Sequence, residues 1–422
     1  MATNRDFQSM LNQYLPLDLL KYEYIKRDYI FQRANIDESW KGGDLIVPFQ
    51  GQHASSIEFG ALTADNDISK YAYIRGSITT QPEVWGTLIF QHRDLMEHDG
   101  KIPESTFLKI LPDQIDAMMM YFKMVVAVHL LGGPHFAKVT TDAAPTDAAN
   151  GILAVDRVDR FTKDQKVSLD DDNSSPTTYY VININVNLQT VTLSATRGGA
   201  AANVSAYTAA QNAKFYHPGA QSAGMTGLRS QLLAAANGGS ANLFGQAKTD
   251  HVFLQAVQVD GSSVTAANIL DKIFAGYVKR MSLAKGGKAP EVVMSFKNFG
   301  FILQVLEIHK GQYNIVPNSR KVSVYGWDTV EVGSVSGQVI KLVGIQECDD
   351  DIIFYLDWDS ITFYTNGLFK RRRAPDGKEY YETRATTGYA YILDHCLFGD
   401  LVCHAPWKNA IMYGIPNIAL GV

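Results

Sequence analysis

The stretch FLKILPDQIDAMMMYFKMVVAVHLLGG, residues Phe107–Gly133, decides the fold that this sequence predicts. Apolar side chains recur there at alternating steps of three and four residues, the spacing that places them on one helical face. They are Leu108, Leu111, Ile115, Met118, Phe122 and Val125. Because proline fits the first turn of a helix, we expect the main helix to start near Pro112. The following Gly132-Gly133-Pro134 should end it.

The second half of this helix is apolar on nearly every side. Between Met118 and Leu131 only Lys123 and His129 interrupt the apolar residues, a pattern typical of a helix enclosed by protein. Asp116 and Lys123 break the run before it reaches the roughly 18 residues of a membrane span. The sequence therefore predicts a long core helix, with no membrane association.

Composition limits the class of protein. The chain of 422 residues is 46% hydrophobic and 19% charged, which is typical of an ordered globular protein with extensive protein contacts. A formal net charge of −5 argues against a protein that grips nucleic acid over its whole surface. Three cysteines and a start without a signal peptide predict a soluble intracellular product in a reducing compartment.

Along the chain, most other segments predict strands. Residues 1–40 mix apolar and charged side chains without a sustained period, which predicts an arm that packs on something else, such as another subunit. Residues 44–90 predict a long hairpin with a polar tip and too little hydrophobic mass to be ordered without a partner surface. A β-rich insert at 152–216, a mixed region with helices at 225–236, 263–283 and 299–308, and a final run of strands complete an α+β fold.

No segment carries a catalytic or cofactor-binding motif. The sequence His395-Cys396…Cys403-His404 has zinc-ligand residue types, but we expect a hairpin that turns at Phe398–Leu401. Neighbouring side chains would then point to opposite faces, so no metal site is predicted, although a Cys396–Cys403 disulfide is possible on paper. We therefore predict no cofactor, no metal and no enzymatic activity.

Two charged clusters remain. Asp349-Asp350-Asp351 lacks the ligand spacing of a calcium loop, and we interpret it as a solvated turn. The only basic run is Lys370, Arg371, Arg372 and Arg373, whose charges a strand would divide between its two faces. We favour ion pairs with a neighbouring chain over DNA contact, because arginine pairs well with carboxylates across interfaces.

The order of elements resembles the major capsid protein of tailed double-stranded-DNA bacteriophages, whose fold is shared with encapsulin shells. Individual phrases are similar too: Leu130-Leu131-Gly132-Gly133 at the end of the long helix, Gly224-Met225-Thr226-Gly227-Leu228 after the insert, PEVVMSFKNFGFIL at Pro290–Leu303 and DDIIFYLDWDSITFY at Asp350–Tyr364. The resemblance covers essentially the whole chain through its architecture and loose phrases.

The resemblance implies a division of the chain into six parts. These are an N-terminal arm (1–40), an extended β-hairpin loop (41–100), a peripheral domain with the long spine helix (101–151), an inserted β-rich domain (152–216), an axial α/β domain (217–345) and the returning strands of the peripheral domain (346–422). Many relatives begin with a charged scaffolding segment that is removed during maturation. This chain begins at the arm, which implies a separate scaffolding protein or a mature form.

It also implies a function. Copies of the chain would assemble as hexamers and pentamers into an icosahedral head that encloses double-stranded DNA without sequence-specific binding. Partners would include a scaffolding protein, a portal and decoration proteins, and the protein would be made in the host cytoplasm and end in the virion. Some relatives cross-link a loop lysine to a neighbour's asparagine. Lys70 and Asn66 lie near the loop tip without a pattern that assigns this role, and with Asp67 and Tyr71 they are expected at the subunit interface, as are the four basic residues.

Two alternatives stay open. An encapsulin-like compartment shell would have the same fold, although such shells tend to be shorter and to lack a module like residues 152–216. A β-rich hydrolase would use a carboxylate pair such as Asp357 and Asp359. Two residues apart on a strand, these carboxylates would face the same side about 7 Å apart.

Overall fold

The computed structural model has a strand-rich mixed α+β fold, which confirms the predicted fold class. It describes residues 28–51, 73–79, 81–91, 107–140, 147–171, 176–209, 213–284, 288–308, 315–317, 327–333, 339–368, 370–373, 381–385 and 388–417. The helices are α1 (Tyr29–Arg33), α2 (Phe107–Gly132), α3 (Ala220–Ala223), α4 (Leu228–Leu232), α5 (Ile269–Leu283) and α6 (Phe296–Ile308).

The strands form three large groups and two small pairs. Their bounds are β1 (Asn35–Asp37), β2 (Leu45–Gln50), β3 (Tyr73–Ile78), β4 (Glu83–Gln91), β5 (His135–Lys138), β6 (Ile152–Ala154), β7 (Lys166–Asp170), β8 (Thr177–Asn185), β9 (Thr190–Ser194), β10 (Lys214–Tyr216), β11 (Asn242–Leu243), β12 (Gln246–Ala247), β13 (Val257–Asp260), β14 (Glu291–Ser295), β15 (Ile315–Pro317), β16 (Trp327–Gly333), β17 (Val339–Ile345), β18 (Ile352–Leu356), β19 (Ile361–Thr365), β20 (Lys370–Arg371), β21 (Tyr381–Ala385), β22 (Gly388–Cys403) and β23 (Ala410–Tyr413).

The long helix α2 has 26 residues and is therefore about 39 Å long. It begins at Phe107, so the expectation of a start near Pro112 is wrong. The apolar series starts before the proline, and an intact helix there gives up only the one hydrogen bond that Pro112 cannot donate. The predicted end is confirmed: the N–H of Gly133 donates to the His129 carbonyl, and Gly133 has a φ of 118°.

Residues 28–40 pack against their own chain. Tyr29, Ile30 and Phe31 are buried in the largest core, where Phe31 meets the Phe363 ring edge-on at 4.9 Å. Strand β1 runs parallel to β19. For these residues the expectation of an arm packed on something else is wrong, because three consecutive apolar side chains find a site within the same chain. Residues 1–27 lie outside the described residues.

Strand β22 organises a six-stranded sheet with β1, β4, β19, β20 and β21. It is continuous over 16 residues, so the predicted turn at Phe398–Leu401 is wrong. The strand changes partner there rather than direction: residues 390–398 pair with β4, and residues 399–403 pair with β19. Gly399 permits this close pairing, because an added Cβ would lie 2.4 Å from the Tyr364 carbonyl oxygen.

A second sheet closes into a six-stranded barrel. Its strand order is β5-β10-β7-β8-β9-β6, and its two terminal strands meet through a bridge between Val139 and Val155. Close to that bridge, the N–H of Asp156 donates to the Lys138 carbonyl at 3.1 Å. The interior is apolar and includes Phe136, Phe161 and Phe215. The barrel uses residues 135–216, so it starts before the predicted insert.

A seven-stranded sheet has the order β13-β23-β18-β14-β17-β16-β15. Helices α5 and α6 contribute side chains such as Ile273 and Ile302 to the core beside it. Strands β14 and β17 pair in parallel, whereas β18, which follows residue 345, pairs with β14 antiparallel. Sheet pairing therefore crosses the predicted boundary between the axial domain and the returning strands.

Strands β2 and β3 pair antiparallel within the predicted hairpin. Val47 and Phe49 are buried against Leu254 and Val402, so its described part is ordered by contacts within the chain and not only by a partner. Strand β4, which was expected in the same extended loop, instead pairs with β22.

The helix after residue 263 starts later than expected, at Ile269. Ser263 and Thr265 precede the helix, and both bond through their backbones to the side chain of Asn268, at 3.1 and 2.7 Å.

Candidate assembly interface

One face of the β4–β22–β20 sheet is turned away from the long helix. Directly opposed residues of antiparallel strands point to the same side, which groups Trp85, Cys396 and Lys370 on one face. The next residue of β4, Gly86, belongs to the other face, where an added Cβ would lie 3.0 Å from the Phe122 ring of α2. The face that carries Trp85 is therefore the outer one.

The outer sheet face consists of Trp85, Thr87, Ile89, Lys370, Arg372, Asp394 and the buried Cys396. Ile89 is 63% exposed and Trp85 is 44% exposed. The guanidinium of Arg372 lies 5.9 Å from the centre of the Trp85 ring and 3.8 Å from the Asp394 carboxylate. The hydroxyl of Thr87 donates to Asp394 at 2.8 Å. Exposed apolar and aromatic surface beside arginine is the composition of a protein-binding surface.

The structure separates the predicted interface residues. Asn66, Asp67, Lys70 and Tyr71 lie outside the described residues. Within the basic run, the predicted division between two faces is observed.

Lys370 and Arg372 are on the outer sheet face, whereas Arg371 is buried and opposes His395 on the inner face. Its Nε lies 3.4 Å from Nε2 of His395. Arg373 is exposed.

Sequence reasoning singled out the aspartate cluster, which consists of Asp349, Asp350 and Asp351, but missed its structural role. Its interpretation as a solvated turn is wrong. Asp349 is 9% exposed and contacts Arg160 at 2.8 Å and Arg229 at 3.2 Å. Asp351 pairs with Arg229 at 2.7 Å and with Lys138 at 3.1 Å.

The aspartate cluster joins the barrel to the rest of the chain. Arg157 and Arg160 belong to the barrel, and besides their ion pairs they donate to the carbonyls of Cys348 and Glu347, at 2.6 and 2.8 Å. Burial alone would raise the pKa of Asp349, but the guanidinium groups of Arg160 and Arg229 hold it well below its ordinary value. The cluster is thus an ionised, internally neutralised joint.

The His395-Cys396…Cys403-His404 segment is not a metal site. Cys396 and Cys403 are seven residues apart on one extended strand, which separates them by about 23 Å. A disulfide between them is therefore impossible without refolding, and all three cysteines are buried thiols. Within the described ranges, no group of three or more His, Cys, Asp or Glu residues is placed to hold a metal ion.

Asp357 and Asp359 do not form the carboxylate pair of the hydrolase alternative. They lie at a 3₁₀ turn, Trp358–Ser360, and not on a strand. Asp357 is buried, whereas Asp359 is exposed and forms an ion pair with Lys288. None of the described helices is long and apolar enough to cross a membrane.

Comparison with known proteins gives matches to solved structures alone. No protein-family model matches the sequence, and no curated protein matches it. A chain of the cyanophage A-1(L) capsid asymmetric unit is 10% identical with a TM-score of 0.45, and the match covers 91% of each chain.

Two further solved structures are similar over most of the chain. A chain from Gordonia phage Cozz is 12% identical with a TM-score of 0.40, covering 93% of this chain and 87% of that one. A chain from the procapsid of satellite phage P4 is 9% identical with a TM-score of 0.36, covering 94% and 98%. These three solved structures come from phages, two of them from a capsid or procapsid.

Proposed function

We propose that this chain is a major capsid protein, a structural and non-enzymatic protein whose copies assemble as hexamers and pentamers into an icosahedral shell around double-stranded DNA. The observation that carries the proposal is the outer sheet face. Trp85 and Ile89 are exposed in the single chain beside Arg372, and burial of such residues against another copy would stabilise an assembly.

The edge of the same sheet supports contact between copies. Strand β4 has nine residues and, among the strands that the structure describes, pairs with β22 alone. An open strand edge beside apolar side chains is usually covered in a native assembly. We place Lys370, Arg372 and Arg373 at this interface, with Asn66, Asp67, Lys70 and Tyr71 of the extended loop reaching it from a neighbouring copy. Arg371 supports the interface from the buried side.

The division into an arm (1–40), an extended loop (41–100), peripheral segments (101–151 and 346–422), an inserted domain (152–216) and an axial domain (217–345) is part of the proposal. So are the partners, namely a separate scaffolding protein, a portal and decoration proteins. The protein would be made in the host cytoplasm and become part of the virion. The formal net charge of −5 suits a shell that contains DNA without binding it non-specifically.

Negative-stain electron microscopy tests this function. The full chain is expressed alone and together with its neighbouring open reading frames, and both preparations are imaged after purification. Closed shells, tubes or rings of six support the proposal, and the shell diameter limits the number of subunits. Monomers in both preparations, including the one with a scaffolding protein present, would overturn it.

A further inference from the structure

A cavity of about 480 Å³ lies between the long helix α2, strand β4 and the loop at residues 217–225. This volume falls in the range of small-molecule sites. Its walls include Met118, Phe122, Val125, His129, His217 and Met225. The cavity borders the inner face of the β4–β22 sheet at Gly86, and Trp85 and Thr87 of the outer sheet face also contribute to its lining.

One wall carries an imidazole nitrogen that needs a donor. His129 is 3% exposed, and its Nδ1 lies 2.8 Å from the Gly133 carbonyl oxygen. Because a carbonyl only accepts, Nδ1 must carry the hydrogen, and Nε2 of the neutral ring is left as an acceptor. Nε2 has no hydrogen-bond partner in the part of the chain that the structure describes.

Both histidines of the cavity stay neutral. Burial, with a smaller contribution from the nearby Arg160, lowers the pKa of His129 to about 4 against the opposing effect of the Gly133 carbonyl. Burial and then His129 lower the pKa of His217 to about 3. Glu83 is the one charged residue along the described lining, and its carboxylate accepts the indole N–H of Trp85 at 3.0 Å. A charged ligand would therefore enter without a free counter-charge.

The remaining walls suit a flat ring. Met118 and Met225 supply thioether sulfurs, which make favourable contacts with aromatic rings. Phe122 supplies an aromatic surface on the same wall as Met118, since both lie near the position of an added Cβ on Gly86. The ring of His217 is stacked on the ring of Phe136 at 4.5 Å, so this contact fixes the orientation of the imidazole in the cavity wall.

We propose that this cavity binds a small, uncharged aromatic molecule that donates an N–H or O–H group to Nε2 of His129. Apolar burial against the methionines and Phe122 would supply most of the affinity, and the hydrogen bond would select the ligand. The site needs only residues of one chain, although Trp85 and Thr87 of its lining also belong to the outer sheet face.

Saturation-transfer difference NMR on the full-length protein tests the site, with indole and 1-methylindole as the probes. The two molecules have nearly the same shape, but only indole can donate an N–H. We expect saturable binding of indole with a dissociation constant on the order of 1 mM or tighter. We expect 1-methylindole to bind about tenfold more weakly, because it leaves the buried acceptor unpaired. Equal affinity for the two molecules, or no saturable binding, would overturn the proposal.

A matched pair of variants locates the site. Met118→Trp places a large side chain in the cavity and should abolish indole binding. Met120→Trp adds the same side chain at an exposed position of the same helix and should leave binding unchanged. Circular dichroism confirms that both variants fold. Indole binding that survives Met118→Trp would contradict the assignment, as would its loss in Met120→Trp alone. If Met118→Trp fails to fold, the comparison of indole with 1-methylindole on the unmodified chain decides whether the proposal holds.

Discussion

The aspartate cluster and the outer sheet face differ in how far their side chains are satisfied by contacts within the chain. In the cluster, the buried Asp349 and the half-buried Asp351 are neutralised by arginines from the barrel and from α4. On the outer sheet face, Trp85 and Ile89 remain exposed beside an arginine that is itself exposed. One region is complete within a single chain, whereas the other presents surface that another molecule could cover.

The difference shows where a chain of this kind places its ionic contacts. The cluster connects segments that are far apart in sequence, and each buried charge has a partner of opposite sign within 4 Å. Such a joint fixes the barrel against the core, since removing one partner leaves an uncompensated buried charge. The outer sheet face needs no such neutrality, because water solvates its charges until a partner excludes it.

The largest expected effect follows from breaking the joint. Asp349→Asn removes the charge that faces Arg160 and Arg229, and we expect a loss of about 3–5 kcal/mol in the free energy of unfolding. Urea denaturation of the unassembled chain measures it. Asp359→Asn is the matched control, because its ion pair with Lys288 is exposed to water and its removal should change the free energy of unfolding little. Similar losses in the two variants would show that the cluster is not a structural joint.

The same pair gives a pH prediction. The folded pKa of Asp349 is lower than its unfolded value, so its contribution to stability is present above about pH 4 and is lost as the pH falls below that value. Asp349→Asn should therefore lose less stability than the unmodified chain when the pH drops from about 5 to about 3. This interval extends about one pH unit to each side of the reference pKa of aspartate. Parallel pH profiles would contradict the assignment.

Asp400 extends the comparison, because it is a buried carboxylate with no ion pair among the residues that the structure describes. Asp400 is 1% exposed and accepts from the backbone N–H groups of Thr226 and Leu401, at 2.8 and 2.9 Å. Burial raises its pKa to about 7, so the ionised form destabilises the fold as the pH rises from about 4 to 7. Asp400→Asn keeps an acceptor and removes this penalty. Relative to the unmodified chain it should gain up to about 4 kcal/mol over that interval, measured by urea denaturation; a constant difference would contradict this reading.

A smaller effect separates the two faces of the basic run. Arg371 is buried, so Arg371→Ala should destabilise the single chain by about 1–3 kcal/mol. Arg372 is on the outer sheet face, so Arg372→Ala should change the unfolding free energy by less than about 1 kcal/mol and weaken self-association instead. Denaturation and mass photometry on the two variants distinguish these roles. The reverse pattern would remove Arg372 from the proposed interface.

Local patterns predicted much of the fold. The glycines after Leu131 end the long helix as predicted, and strand β18 (Ile352–Leu356) belongs to the predicted final run of strands, because its apolar run is short and bounded by polar residues. The continuity of β22 was missed, since Gly399-Asp400 resembles a turn locally. Its extended path depends on pairing with β4 and β19, which no local pattern encodes.

The candidate sites were less predictable than the fold. Three consecutive aspartates indicate a solvated turn, and only tertiary contacts with Arg160 and Arg229, 189 and 120 residues away, make them a buried joint. The outer sheet face combines the basic run, which the sequence singled out, with Trp85 and Ile89, which alternate along a strand that was expected in a loop. Alternation within β4 was the available signal, but its partner strand was needed to show which face is outside.

The most direct test of the account is electron microscopy with mass photometry on two variants of the outer sheet face. Trp85→Lys combined with Ile89→Lys places charge on the face, whereas Trp85→Phe combined with Ile89→Val keeps it apolar. We expect the first double variant to fold but remain unassembled, and the second to form the same particles as the unmodified chain. Normal particles from the lysine variant would contradict the claim that this face is buried between copies.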